Sequence, residues 1–448
     1  MTGQSGTIER LVDRLMPGFM RPFWDRVRTS NIGYRLAHGA FWSTIGAGLP
    51  QALMLVTSII IARILGREHF GEYGIVFSTV GMFNVVAGFG LGTTATKYVA
   101  ELRHTDSART GRIIAMSILV AIGTGLLASV ILLCIAPLLA RQTLASTHIS
   151  PYLRIGTGLI LFGAINGAQV GALAGFEAFK VIARINLVAG IFSFPLILAG
   201  AYFIGLPGAL AGQVVAQAVT CLINNLALRK LARESGIPLG YAGCWQERSV
   251  LVRFSLPAVL SGIMVSPVNW VCAAILVNQP HGYSEMGIFN AANSWQKAIL
   301  FIPASIGAIT LPILSQLHGA NERKEYRKTL AYNVILNGGA ALTTFAMVSI
   351  FSKVIMRSYG PSFEIGYGVL ILLCFSSVLI SVDSVIGNAI ASANKMWFAF
   401  VFNTMWGIAY IAFVFVFVPR FGAMGLALAN VSAYLLHTFW QLLYLKRV

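Results

Sequence analysis

Apolar windows of 20 residues or more recur along nearly the whole 448-residue chain, with only short connections between them. A helix rises about 1.5 Å per residue, so each window can cross the roughly 30 Å hydrocarbon core of a bilayer. About twelve spans are expected, near 37–63, 72–96, 112–137, 155–175, 183–204, 208–228, 250–277, 286–314, 329–352, 366–391, 396–418 and 422–444. With 57% hydrophobic and only 10% charged residues, the chain lies outside the range of soluble domains. The expected fold is an all-α polytopic membrane protein.

The formal net charge of +17 raises the question of nucleic acid, and the placement of the charges answers it. If the spans alternate from a cytoplasmic N-terminus, 24 of the 32 Lys and Arg residues fall on the cytoplasmic side and 7 on the other, and Lys297, near the middle of an apolar run, completes the count. The positive-inside rule then puts both termini in the cytoplasm. Topology and anionic head groups account for the basicity, so no nucleic-acid partner is expected. Residues 1–36 read as a cytoplasmic or interfacial segment, because Ile8, Leu11, Val12, Leu15 and Met16 repeat at helical spacing opposite Glu9, Arg10, Asp13 and Arg14. The segment lacks the apolar centre of a signal peptide. The five cysteines show neither paired nor metal-ligand spacing, and no cofactor is implied.

An internal repeat organises the spans. "EYGIV" at Glu72 matches "EMGIF" at Glu285, an offset of 213, and each opens the second span of a set of six. "GALAG" at Gly208 is similar to "GLALA" at Gly425, an offset of 217, and each follows a short Gly/Pro turn. Six is even, so two such sets insert the same way up, as in transporters that bind substrate between two lobes. The expected division is an N-lobe at 37–230 with spans 1–6, a polar linker at 231–249, and a C-lobe at 250–448 with spans 7–12, the two lobes enclosing a central cavity.

The stretch "IIIARILGREHFGEYGIVFS" (Ile59 to Ser78), followed by "GFGLGTTATKYVAE" (Gly88 to Glu101), resembles the opening helices of bacterial polysaccharide flippases. These form the Wzx-type family of the multidrug/oligosaccharidyl-lipid/polysaccharide exporter superfamily. The resemblance implies transfer of a polyprenyl diphosphate-linked oligosaccharide from the inner to the outer leaflet through a cavity between the lobes, for O-antigen, capsule or exopolysaccharide synthesis. The resemblance also implies a polysaccharide polymerase or assembly machinery as an expected partner. The residues have a plainer reading too: Gly66 suits a helix C-cap, and Gly71 and Gly74 suit a tight turn into the next helix. Arg63 and Arg67, at the less basic end, are either interfacial anchors or part of a ring facing an anion as it leaves.

Lys297 is the sharpest local signal. On a helix it shares a face with Asn290, Asn293 and Ser294, a polar stripe on an otherwise apolar span. An ionised lysine facing lipid costs at least roughly 2.5–3.5 kcal/mol, so a cavity or an internal partner is expected. The 213-residue offset places Asn84 at the equivalent position of span 2. Lys297, Asn293, Asn290, Asn84, Arg63 and Arg67 are therefore the candidate substrate-binding residues, with structural pairing of Lys297 inside one lobe as the alternative.

Asp383 is the one acid well inside a span. It reads as a carboxylate coupling transport to H+ or Na+, or as a hydrogen-bonding residue or salt-bridge partner of Lys297. Asn166, Gln169, Asn388 and Asn394 either line the cavity or bond helix to helix. No P-loop, nucleophile set or clustered acids mark an enzyme, and "GFGLGTTATK" lies late in a span without the Gly-Lys-Ser/Thr order of a phosphate loop. An ion-coupled drug or metabolite antiporter of the same superfamily is the alternative function, and a glycan polymerase or ligase the second.

Overall fold

The computed structural model describes residues 31–241, 243–251, 255, 264–319, 322–393 and 395–447. The amphipathic N-terminal stretch, Arg253 with most of the first half of span 7, and Asn394 lie outside the described residues.

Among the described residues all regular structure is helical, and the helices account for twelve crossings. The helix Asn31–Gly88 holds spans 1 and 2, because Gly66 (φ 76°, ψ 175°) breaks it where the chain turns back. Span 3 is Ser107–Leu138, span 4 Ser150–Gly175, span 5 Phe179–Ile204 and span 6 Leu206–Glu234. Span 7 is described from Val265 to Val277, span 8 is Gly282–Gly319, span 9 Arg323–Ile350 and span 10 Tyr367–Ser392. Spans 11 and 12 share the helix Met396–Arg447, broken at Gly422 (φ 53°, ψ −127°). Twelve crossings leave both chain ends at one end of the bundle, here called the terminal end. The connections at Gly66, 139–149, Gly205, Gln279, 351–366 and Gly422 gather at the distal end.

The 217-residue offset reappears in the backbone. Gly205 and Gly422, 217 apart, each take the left-handed φ that turns one helix into the next. A Cβ on Gly208 would lie 2.1 Å from the Gly200 carbonyl oxygen, and one on Gly425 would lie 2.3 Å from that of Phe417. Those two carbonyls are again 217 apart, so the same glycine-to-carbonyl contact closes the last hairpin of each lobe.

Span 2 departs from the expected single helix over 72–96. It ends at Gly88, and Phe89 (φ 43°) and Gly90 (φ 62°) carry the chain into a separate helix, Leu91–Leu102. Thr93 and Thr94 hydroxyls both bond the Gly90 carbonyl, which also accepts from the Thr94 amide, so the first turn after the break is tied to one acceptor. Asp106 then caps span 3 by accepting from the Arg109 amide at 2.8 Å. The linker is tied to the same helix start: Glu247 accepts from Arg109 Nε at 3.0 Å and from Arg112 at 3.2 Å.

Candidate functional site: the wedge between the lobes

The lobes meet along span 1 against span 8 and span 2 against span 7. Ser58 and Ser294 hydroxyls lie 3.1 Å apart, and Trp270 Nε1 donates to Thr79 Oγ1 at 3.0 Å. At the distal end spans 2 and 8 also touch, and glycine permits it. A Cβ on Gly71 would lie 1.8 Å from the Tyr283 carbonyl oxygen, one on Gly74 1.6 Å from Asn290 Nδ2, and one on Gly287 2.0 Å from the Arg67 carbonyl oxygen. Gly74 and Gly287 are 213 apart, the offset that relates "EYGIV" to "EMGIF". The seam is therefore a pseudo-symmetric pair of glycines, each admitting the backbone or side chain of the opposite lobe.

Further from that seal the same face of span 2 comes away from span 8. Gly74, Gly81 and Gly88 follow one another at seven-residue spacing, so they share a helix face. Gly74 is jammed on Asn290, whereas among the described residues a Cβ on Gly81 or Gly88 would meet nothing within 4 Å. The two helices run in the same direction, so the seven residues from Asn290 to Lys297 match the seven from Gly74 to Gly81. Among the described residues a wedge thus opens between spans 2 and 8 toward the terminal end, with its apex at Gly74 and Asn290.

Lys297 is exposed, and among the described residues it has no ion pair or hydrogen bond. Asn290 Nδ2 donates to the Phe70 carbonyl across the seam at 3.2 Å, and Asn293 is partly exposed on the flank beside Lys297. Asn84 lies against span 4 of its own lobe, where a Cβ on Gly163 would come 2.6 Å from its Oδ1. Arg63 and Arg67 are at the distal end, donating to the Ser358 carbonyl at 2.5 Å and the Ser362 carbonyl at 3.3 Å. The structure thus gathers Lys297, Asn293 and Asn290 on one helix face, and sets the arginines apart from them and Asn84 away from span 8.

Asp383 does not pair with Lys297. Its Oδ2 lies 3.1 Å from His437 Nδ1 on span 12, and His437 Nε2 lies 3.2 Å from Gln441 Nε2. All three are buried, and among the described residues Asp383 Oδ1 has no hydrogen-bond partner. Asn166 Nδ2 donates to the Gln217 carbonyl and its Oδ1 accepts from Asn224, so this residue bonds spans 4 and 6 within the N-lobe.

Sequence reasoning missed a second polar cluster at the distal end. Glu72, 1% exposed, accepts from His69 Nδ1 at 2.8 Å and His148 Nε2 at 2.5 Å. The connection that carries His148 also receives the C-lobe, since Tyr283 donates to the Leu144 carbonyl and Asn278 to that of Thr143. Its repeat mate Glu285 accepts from the Ala423 amide at 2.9 Å, holding the turn at Gly422. The shared Glu of the two motifs was the available signal.

The family model described as "Polysaccharide biosynthesis protein" matches residues 36–318, and the model named MatE matches residues 257–405. The EPS I polysaccharide export inner membrane protein EpsE of Ralstonia nicotianae is 23% identical over 422 residues, covering 90% of this chain and 93% of its own. Among solved structures, the lipid II flippase MurJ in an inward closed conformation superposes with a TM-score of 0.73 at 14% identity, over 90% of this chain and 87% of that one. An inward-facing multidrug resistance MATE family transporter of the MOP superfamily gives 0.72 at 15% identity, over 90% and 98%. At those identities the solved structures establish the fold.

Proposed function

Because the chain belongs to the polysaccharide biosynthesis protein family, we propose that it flips a polyprenyl diphosphate-linked oligosaccharide from the inner to the outer leaflet of a bacterial inner membrane by alternating access. It is a carrier and not an enzyme. The observation that carries this reading is the wedge: an unpaired cation, Lys297, lies two turns below a glycine-sealed apex, level with the open Gly81. A diphosphate cannot enter hydrocarbon without a compensating charge. Lys297 supplies that charge, and Asn293 and Asn290 add donors. With both termini in the cytoplasm, as the charge distribution favours, the wedge opens to the leaflet where the loaded carrier is made.

The buried Asp383, His437 and Gln441 group lies in the C-lobe, apart from the wedge, and a carboxylate with one unpartnered oxygen suits an H+ or Na+ that drives the cycle. The test is flipping in proteoliposomes with lipid-linked oligosaccharide loaded on one leaflet. Charge-assisted hydrogen bonds are worth about 1.5–3 kcal/mol, so Lys297→Ala is expected to slow flipping by roughly 10- to 100-fold, with Lys297→Arg retaining part of the rate. A normal rate in Lys297→Ala, with carrier bound as tightly, would remove Lys297 from the site.

A further inference from the structure

The distal end holds a second cation-lined cavity, of about 450 Å³, walled by Ala62, Arg63, Tyr359, Gly360, Phe363 and Arg357. Both lobes build it: Arg63 ends span 1, and Arg357 and Tyr359 belong to the connection between spans 9 and 10. Arg67 reaches the same connection at Ser362. Gly360, at φ 140°, makes the sharp turn that folds the connection back over the cavity.

The charges are unbalanced. Among the described residues neither Arg63 nor Arg67 has a carboxylate within ion-pair distance, and both engage neutral backbone carbonyls instead. Arg357 has Glu364 at 3.9 Å, with both side chains well exposed, so that pair is weak. Three guanidiniums thus face one loosely held carboxylate. Each planar guanidinium offers paired donors that match two oxygens of a phosphate, and a carbonyl uses only a fraction of them. The wall beneath is apolar, with Ala62, Tyr359 and Phe363 buried. A ligand that is anionic at its head and hydrocarbon behind it fits such a pocket, which lies at the depth where the spans end.

We propose that this cavity binds the phosphate head of a lipid at the distal leaflet. Two sources share that chemistry: a bulk anionic phospholipid, and the diphosphate of a polyprenyl carrier that has crossed. The second source rests on the function proposed above; the first does not. Binding is coupled to the seam, because a phosphate competes with the Ser358 and Ser362 carbonyls for the two arginines that staple span 1 to the C-lobe.

The experiment measures ligand retention by native mass spectrometry of the purified full chain, with three probes: phosphatidylglycerol, farnesyl diphosphate and uncharged diacylglycerol. The wild type is expected to retain at least one of the phosphate probes tenfold or more better than diacylglycerol. Arg63→Gln/Arg357→Gln is expected to lose that margin, and Arg63→Lys/Arg357→Lys to keep part of it. Unchanged elution and melting temperature check that the variants fold. Retention of phosphatidylglycerol supports a bulk lipid as occupant, and retention of farnesyl diphosphate alone supports the carrier. Lys297→Ala separates the two sites: retention that survives Lys297→Ala and fails in the arginine variant belongs to the distal cavity. Retention that fails in Lys297→Ala and is untouched in the arginine variant overturns the proposal while leaving the central site standing, and equal retention of all three probes overturns it as well.

Discussion

Replacing Gly71 by alanine should push the two lobes apart at their distal seam. The added Cβ would sit 1.8 Å from the Tyr283 carbonyl oxygen and 2.9 Å from the Gly287 nitrogen. Both are backbone atoms of span 8, so no side-chain rotation relieves the clash. Ordinary contact needs about 3.4 Å or more, and the helices must therefore separate by roughly 1.5 Å locally. Overpacking of this kind costs about 1–3 kcal/mol. If the cost falls on the sealed state alone, it moves the sealed-to-open ratio by about 5- to 150-fold. The control is internal: Gly81 lies on the same helix, on the face of Gly74, and among the described residues nothing lies within 4 Å of its Cβ position, so Gly81→Ala should leave the ratio unchanged. Closure can be read from disulfide trapping of a Ser58→Cys/Ser294→Cys pair, whose parent hydroxyls are 3.1 Å apart across the seam, and from labelling of the same cysteines by a membrane-impermeant thiol reagent. Gly71→Ala should slow trapping and speed labelling. Equal trapping in Gly71→Ala, Gly81→Ala and the parent would refute the idea that glycine packing seals this end.

Other consequences follow from single sites. Gly422→Ala should lower stability by about 1–3 kcal/mol, seen as a lower melting temperature in detergent, because alanine is strained at φ 53° and its Cβ would lie 2.7 Å from Glu285 Oε2. Asp383→Asn should preserve expression and the His437 contact but abolish the response of flipping to an imposed H+ or Na+ gradient; an unchanged gradient response would make Asp383 structural. Reporter fusions after each span should place both termini in the cytoplasm with twelve crossings, and termini on opposite sides would defeat the topology.

Local rules carried much of the fold. Length and apolarity located the spans, and Gly66, Gly205 and Gly422 were marked as turns by their own sequence surroundings. The break at Gly88–Gly90 was not legible, because "GFGLG" sits inside an apolar run and a hydropathy window averages over a two-residue reversal of φ. Helix rotation was the other blind spot. The 213 offset put Asn84 opposite Lys297, yet the helix turns Asn84 toward Gly163 and leaves Gly81 in the wedge, a difference of three residues that only packing decides. Gly71 and Gly74 read locally as turn residues; their closest contacts lie more than 200 positions away, so no local pattern could assign them to the seam. The His148 contact with Glu72 was hidden for the same reason.

The spacing of the cations gives the site a direction. Arg67 lies level with Gly287, since its carbonyl oxygen meets that glycine's Cβ position, and Lys297 is ten residues further along the same helix. At 1.5 Å per residue the two levels are about 15 Å apart along span 8, half the hydrocarbon thickness. The apex at Gly74 and Asn290 lies between them, so a path from Lys297 to Arg67 passes through the glycine seal. With the seam closed, an anion held at Lys297 is separated from the distal arginines by packed backbone. In the proposed cycle, opening the seam takes the arginines from their carbonyl partners across the lobes as the anion reaches them. Opening thus costs contacts that a phosphate can replace, and closing after release restores them. If the proposed anion sites hold, the same arginine and lysine positions also set which way the empty carrier relaxes, so neutralising Arg63 and Arg67 together should slow release at the distal leaflet while leaving uptake at Lys297 intact, a split that pre-steady-state flipping from either leaflet would resolve.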